Sequence, residues 1–299
     1  MATAGAKTTT IATGNPSGLY YPFGGGLSKI WSRESDDINM KAEVTAASVV
    51  NVIQVMKGES EAGISQGDVL RDAIAGKGIF PEPIAVRALF ALYPNVVHCI
   101  TRESSGLASI QDLRGKRVSV GAPGSGVAIT SLNILGALGI TPDDFEPQYL
   151  SYTETAEALK TGTIDAGFMV GGLGLAALME LALTEKINLI PVTGQDMDTL
   201  SQAYPAYTRY TIPADTYNGI TQPLETVSLW NFLVVAENMD DERAYRMTRL
   251  AFENMDEMLS VTKAARHATI DNALTFGEGI LHPAALRYLR EQYAQREGD

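Results

Sequence analysis

Gly63-Ile64-Ser65-Gln66-Gly67 satisfies the G-x-S-x-G pattern of a hydrolase nucleophile elbow, in which a sharp strand-to-helix turn exposes the serine Oγ. Asp165, Asp196 or Asp215, followed by His267 or His282, stand in the chain order that a triad on such an elbow needs. A five-residue pattern often arises by chance, and glycines that merely permit a tight turn between strand and helix are the simpler reading. Gly121-Ala122-Pro123-Gly124-Ser125-Gly126 has the glycine spacing of a phosphate loop, but Val127 and Ala128 occupy the places of the lysine and the hydroxyl residue. No nucleoside triphosphate site is expected there. Gly124-Ser125-Gly126 also opens like a dinucleotide fingerprint, with Ile129 in place of the third glycine. What survives is a glycine and serine turn before a helix, whose unpaired backbone N–H groups suit a carboxylate. Simple capping of that helix by Ser125 is the competing reading.

Tyr20 and Tyr21, adjacent after Gly14-Asn15-Pro16-Ser17-Gly18, bring flat surface and hydroxyls suited to lining a pocket, with core packing expected for at least one of them. Gly24-Gly25-Gly26 has no cation within it, and close packing of a helix end is the simpler reading. His98, His267 and His282 show no metal-ligand spacing and are expected to be structural or exposed. No pair of carboxylates is marked by spacing as an acid/base couple. The lone Cys99 sits in an apolar run, where burial is expected. Neither metal nor cofactor is called for.

These residues need elements to position them. Thr9–Thr13, Met40–Thr45 and Ala62–Ser65 read as strands alternating with helices near Gly25–Ser32, Ala47–Lys57 and Val69–Ala75. In the second helix Val49, Val50, Ile53 and Met56 form the expected apolar stripe. Strands at Val96–Thr101, Arg117–Gly121, Ala166–Val170 and Asn188–Val192, with helices at Val127–Leu138, Glu154–Lys160 and Leu175–Leu183, repeat the pattern in mid-chain. After a strongly apolar strand at Val227–Ala236 the chain reads as helical to its end, too poor in strands for a domain of its own. The tail is therefore expected to pack back on the first lobe.

The chain has 299 residues, 45% hydrophobic and 19% charged, which is ordinary for a folded protein and long for one core. Thirty-five acidic against 23 basic residues give a net charge of −12, and no basic stripe is present to track phosphates, so nucleic acid is not an expected partner. No apolar run reaches the roughly 20 residues of a membrane-spanning helix. Met1-Ala2-Thr3-Ala4-Gly5-Ala6-Lys7 lacks the apolar core of a signal peptide.

Several separated blocks together resemble the solute-binding proteins of TRAP transporters of the TAXI family. Thr13-Gly14-Asn15-Pro16-Ser17-Gly18-Leu19-Tyr20-Tyr21-Pro22 is similar to the family's opening motif, Ala47-Ser48-Val49-Val50-Asn51 to its G-S-x-x-N block, and Ser65-Gln66-Gly67-Asp68 to its Q-x-D block. Leu92-Tyr93-Pro94, Asp112-Leu113-Arg114-Gly115-Lys116, Gly124-Ser125-Gly126, Gly162-Thr163-Ile164-Asp165-Ala166 and His282-Pro283-Ala284-Ala285 follow in the family's order. Ala47 stands where a glycine is usual, and Val127 where a threonine is frequent.

The resemblance implies an α/β, two-lobed type II periplasmic binding protein, each lobe an open, mostly parallel sheet flanked by helices, with a hinge. Residues 1–97 plus 238–299 are expected to form lobe I and residues 98–237 lobe II, to within about ten residues. The implied function is non-enzymatic: a periplasmic receptor, its signal peptide removed, that closes on a small ligand in the interlobe cleft and delivers it to TRAP membrane subunits. A monomer without direct membrane insertion is expected. Expected ligand contacts are Thr13, Tyr20, Tyr21, Ser48, Asn51, Gln66 and Asp68 on one side, and Gly124, Ser125, Gly126, Val127, Gly171 and Gly172 on the other. The family points to glutamate or a related dicarboxylate. Asp68 would also accept an ammonium or a hydroxyl, so amino acids, hydroxy acids and sugars stay open. The alternatives are a serine hydrolase using Ser65 and a receptor of the same fold serving an ABC transporter or binding sugar.

Overall fold

The computed structural model describes residues 7–298. Residues 1–6, on which the signal-peptide reading rests, lie outside the described residues. The chain divides into two compact units, one taking the residues up to Tyr93 and from Trp230 onward, the other Pro94–Leu229.

The first unit begins with three strand–helix pairs: β1 (Thr8–Ala12), α1 (Tyr20–Glu34), β2 (Asn39–Glu43), α2 (Ser48–Lys57), β3 (Ala62–Gln66) and α3 (Gly67–Ala75). β1 pairs in parallel with both β2 and β3. β4 (Val86–Arg102) then carries the chain into the second unit.

The second unit holds β5 (Arg117–Ser119), α4 (Gly126–Ala137), β6 (Glu146–Gln148), α5 (Tyr152–Thr161), β7 (Ala166–Gly171), α6 (Ala176–Thr184), β8 (Ile187–Ile190), α7 (Gly194–Ala203) and β9 (Thr208–Ile212). β5 runs parallel to β6 and β7, while β4 is antiparallel to β7 and β8. β10 (Leu224–Ala236) pairs antiparallel with β9 at its start and with β3 at its end, returning the chain to the first unit. There α8 (Asp241–Glu253), α9 (Met255–Val261), α10 (Ile270–Leu274) and α11 (Pro283–Gly298) complete the chain.

The strand pairing is mixed. The successive βαβ units are parallel, and the antiparallel pairs come from β4 and β10, which carry the chain between units.

Alternation along strands divides the second unit's core into two layers. Val97, Cys99, Phe168 and Val170 face a cluster with Ile134 and Leu135 of α4, whereas Val96, Ile100 and Met169 face Leu159 of α5 and Leu178 of α6. Helices therefore cover both faces of this sheet. Burial of Cys99 pushes its thiol pKa up, as expected for a packed hydrophobe.

Several expectations need correction. α1 starts at Tyr20, not Gly25, because its glycines serve packing: a Cβ on Gly24 would come within 2.5 Å of Thr13 Cγ2, and one on Gly26 within 2.6 Å of Met258 Sδ. On α2 the buried stripe is Ser48, Val49, Asn51, Val52 and Val55, and Met56 is exposed. Hydrophobicity alone misplaced the face, because two polar side chains point inward and find partners there. β4 has 17 residues where the sequence suggested a short strand at its far end. β6, β9 and α7 were not anticipated, being short or weakly apolar. Among the described residues no helix is long and apolar enough to cross a membrane.

Candidate functional site

In the first unit the chain ends β1, β2 and β3 on the same side of a parallel sheet, where open α/β folds present ligand-binding groups. The expected residues there form a directed chain of hydrogen bonds. Gln66 N–H donates to Ser48 Oγ at 3.1 Å, and Tyr20 Oη–H donates to Asn231 Oδ1 at 2.6 Å. The contact of 3.2 Å between the two hydroxyls is then donated by Ser48 to Tyr20. Asn231 Nδ2 in turn donates to Tyr93 O at 3.0 Å. Tyr20, Ser48, Gln66 and Asn231 are all buried.

Asp68 lies in the first turn of α3, where the helix dipole favours a carboxylate, and its Oδ1 accepts Val69 N–H at 2.8 Å. Tyr21 is 38% exposed, so of the tyrosine pair Tyr20 is the packed one.

Two expected ligand contacts serve the scaffold instead. Asn51 is fully buried, and its Nδ2 donates to Thr13 O at 2.6 Å and Ile64 O at 2.7 Å, bridging the ends of β1 and β3. Thr13 Oγ1 donates to Glu43 O at 2.6 Å, joining the ends of β1 and β2. The Thr13 hydroxyl and the Asn51 amide nitrogen are spent on backbone, and Asn51 Oδ1 faces the Thr45 hydroxyl at 2.5 Å.

The elbow reading of Ser65 also fails on geometry. Ser65 is a fully buried strand residue opposite Phe232, with its Oγ donating to Gln66 O at 3.2 Å. A nucleophile elbow needs an exposed Oγ on a strained turn. The glycines are explained by contacts: a Cβ on Gly63 would meet Asn51 Cβ at 3.2 Å, and one on Gly67 would meet Phe232 Cε2 at 2.9 Å.

In the second unit Ser125 caps α4. Its Oγ accepts Ala128 N–H at 3.2 Å and donates to Ala122 O at 2.6 Å, so its hydroxyl is committed to the turn. The donors that α4 offers at this end are the N–H groups of Gly126 and Val127. Gly121 is required by its φ of 103° and because a Cβ there would come within 2.6 Å of Val127 Cβ.

Gly171 and Gly172 are buried at the end of β7, and a Cβ on Gly171 would come within 2.7 Å of Leu175 Cδ2. The loop they open is held by a buried pair. Gly174 N–H donates to Tyr217 Oη at 3.2 Å, and Tyr217 Oη–H donates to His98 Nε2 at 2.8 Å. His98 Nδ1–H donates to Met169 O at 3.3 Å, which fixes the neutral tautomer. Burial lowers the His98 pKa to about 4 and pushes that of Tyr217 up to about 12.

Sequence reasoning missed Asn231, Tyr217 and the role of His98. Asn231 had a signal, as the polar break in the apolar run Leu229-Trp230-Asn231-Phe232-Leu233. Tyr217, in an irregular segment between strands, had none. Among the described residues no group of three or more His, Cys, Asp or Glu side chains is arranged to hold a metal.

Two α/β units joined through β4 and β10, with polar groups at strand ends, define the fold of the periplasmic solute-binding proteins. The chain belongs to the NMT1-like family, whose model matches residues 11–292. Its fold is similar to that of the alkanesulfonate-binding protein SsuA from Xanthomonas axonopodis pv. citri bound to MOPS, at 15% identity over 96% of this chain and 85% of that one, with a TM-score of 0.51. It is also similar to a putative L-cystine ABC transporter protein from Listeria monocytogenes, at 14% identity, 88% and 96% coverage and a TM-score of 0.51. XAC2383 from Xanthomonas citri bound to ATP matches at 12% identity, 97% and 98% coverage and a TM-score of 0.58.

Proposed function

We propose that this protein is an extracytoplasmic, non-enzymatic solute receptor that captures a small organic acid or amino acid, with glutamate or a related dicarboxylate favoured. The observation that carries the proposal is the hydrogen-bond chain through Gln66, Ser48, Tyr20 and Asn231 at the strand ends of the first unit. Such a chain orients polar groups without a nucleophile or an acid/base pair, which suits recognition and not turnover. In the first unit the polar groups proposed for recognition are those of Tyr20, Ser48, Gln66 and Asp68; in the second unit the Gly126 and Val127 N–H groups suit a carboxylate, with Gly124, Gly171 and Gly172 shaping the backbone there. Delivery to TRAP membrane subunits rests on the resemblance to the TAXI family.

A thermal-shift screen over dicarboxylates, amino acids, alkanesulfonates and sugars tests the reading. A small acid should raise Tm, and Tyr20→Phe, which breaks the chain at Asn231, should weaken that acid by about tenfold. A screen in which only neutral sugars act would refute the acid assignment. Ester hydrolysis abolished by Ser65→Ala would refute the receptor reading itself.

A second reading, a receptor for an ABC transporter, is supported by the L-cystine neighbour, whose name places it in such a system. A neighbouring ATPase gene, in place of a large permease gene, would decide for it.

A further inference from the structure

The chain passes between its two units twice, after Tyr93 on β4 and after Leu229 on β10. Both crossings fall where the neighbouring strand changes. The register of β10 with β9 ends at Ser228 and its register with β3 begins at Asn231. β4 meets β7 from Val96 onward, just past Pro94, which has no N–H to give to a ladder. Pairing with these side strands is thus interrupted on both crossings, and short interrupted stretches are where a hinge can turn.

Buried side chains tie the two strands on either side of the interruption. Within the second unit Thr226 Oγ1 donates to Val97 O at 2.8 Å, and within the first unit Asn231 Nδ2 donates to Tyr93 O at 3.0 Å, each bond joining β10 to β4. The two ties differ in one respect. Thr226 gives its single hydroxyl hydrogen to its tie, whereas Asn231 has a second polar end, and its Oδ1 accepts the Tyr20 hydroxyl at 2.6 Å. A planar amide fixes the direction of its nitrogen by that of its oxygen, so a rotation that loses the Tyr20 bond also misaims the bond to Tyr93 O. The Tyr20 hydroxyl, in contact with Ser48 and through it with the Gln66 N–H, therefore helps to set the tie at the crossing.

We infer that Asn231 is a hinge-positioning residue: its amide pins β4 to β10 where both leave the first unit, and it passes the state of the Tyr20 hydroxyl to that point. This role is independent of which solute the protein takes.

Spin labels on Lys57→Cys in α2 and Lys160→Cys in α5, one exposed position in each unit, report the distribution of separations by double electron–electron resonance, while Cys99 is buried away from the label. Four unliganded proteins are compared: the wild type; Asn231→Asp, which keeps an acceptor for Tyr20 and removes the donor to Tyr93 O; Tyr20→Phe; and Asn51→Ala, which removes buried hydrogen bonds elsewhere in the first unit. Asn231→Asp should raise the population outside the wild type's main separation by about fivefold, the factor that one net hydrogen bond corresponds to. Tyr20→Phe should raise the same population by a smaller factor. Asn51→Ala should lower Tm and leave the distribution as it is in the wild type. A merely structural Asn231 would behave as Asn51 does, with a lower Tm and an unchanged distribution, and that result would overturn the assignment. Broadening in Asn51→Ala equal to that in Asn231→Asp would overturn it too, since any loosening of the first unit would then suffice. A wild-type distribution in Tyr20→Phe would overturn the transmission from Tyr20, and this arm decides even if Asn231→Asp folds too poorly to be labelled.

Discussion

Asn51 shows how a polar residue near a candidate ligand site can belong wholly to the scaffold. Its amide donates to Thr13 O and Ile64 O, both out of water; Thr13 O also takes the Thr45 hydroxyl at 3.0 Å, so removing Asn51 chiefly deprives Ile64 O of its side-chain donor. An unpaired buried acceptor costs about 1–3 kcal/mol. Asn51→Ala should therefore lose about 1–3 kcal/mol in urea denaturation. The rank order of ligands in a thermal-shift screen should stay unchanged, and a reordered ranking would return Asn51 to the ligand. The residue's type and its distance from Ser48 were legible in the sequence. Its role was not, because a hydrogen-bond partner 38 residues away is invisible until β1 and α2 are in place.

At the scale of elements, α4 and the loop after β7 are the parts of the second unit whose positioning matters to the proposed function. Ser125 is the cap of α4, and Ser125→Ala should destabilise the protein by about 1 kcal/mol. Because the hydroxyl is committed to Ala122 O and Ala128 N–H, that substitution should change affinity for the cognate acid by less than Tyr20→Phe does. Titrations of the two variants compare them directly, and a larger loss in Ser125→Ala would place its hydroxyl on the ligand. The helix and its opening turn were readable from Gly124-Ser125-Gly126. The anchoring of the next loop by Tyr217 and His98 was not, since 119 residues separate that pair.

For the molecule as a whole, buried His98 links stability to pH. It is neutral in the folded protein, with a pKa near 4 against an ordinary 6.5, so the unfolded chain binds the extra proton first. The stability this group confers is complete above pH 6.5 and is lost as pH falls toward 4. Between pH 7 and pH 5 the loss should be about 2 kcal/mol. Urea denaturation at both pH values, for the wild type and His98→Gln, isolates this contribution. The variant should be less stable at pH 7 and should show a shallower decline. Equal declines would mean that His98 does not remain neutral in the folded state.

The local grammar of this chain was sufficient for its α/β class, for the strand–turn–helix units around Gly14, Gly67 and Gly124, and for the burial of Cys99. Those features depend on neighbours a few residues apart, where periodicity, caps and turn residues act. Tertiary structure alone decided which face of α2 is buried and that Ser65, on the strand the sequence foresaw, is fully buried. It also decided that Thr13 and Asn51 bond to backbone and that Asn231 completes the chain from Gln66 through Tyr20. Each of these depends on a partner brought close by sheet register or helix packing, and the free energy of a buried polar group is set by that partner and not by the residue's own type.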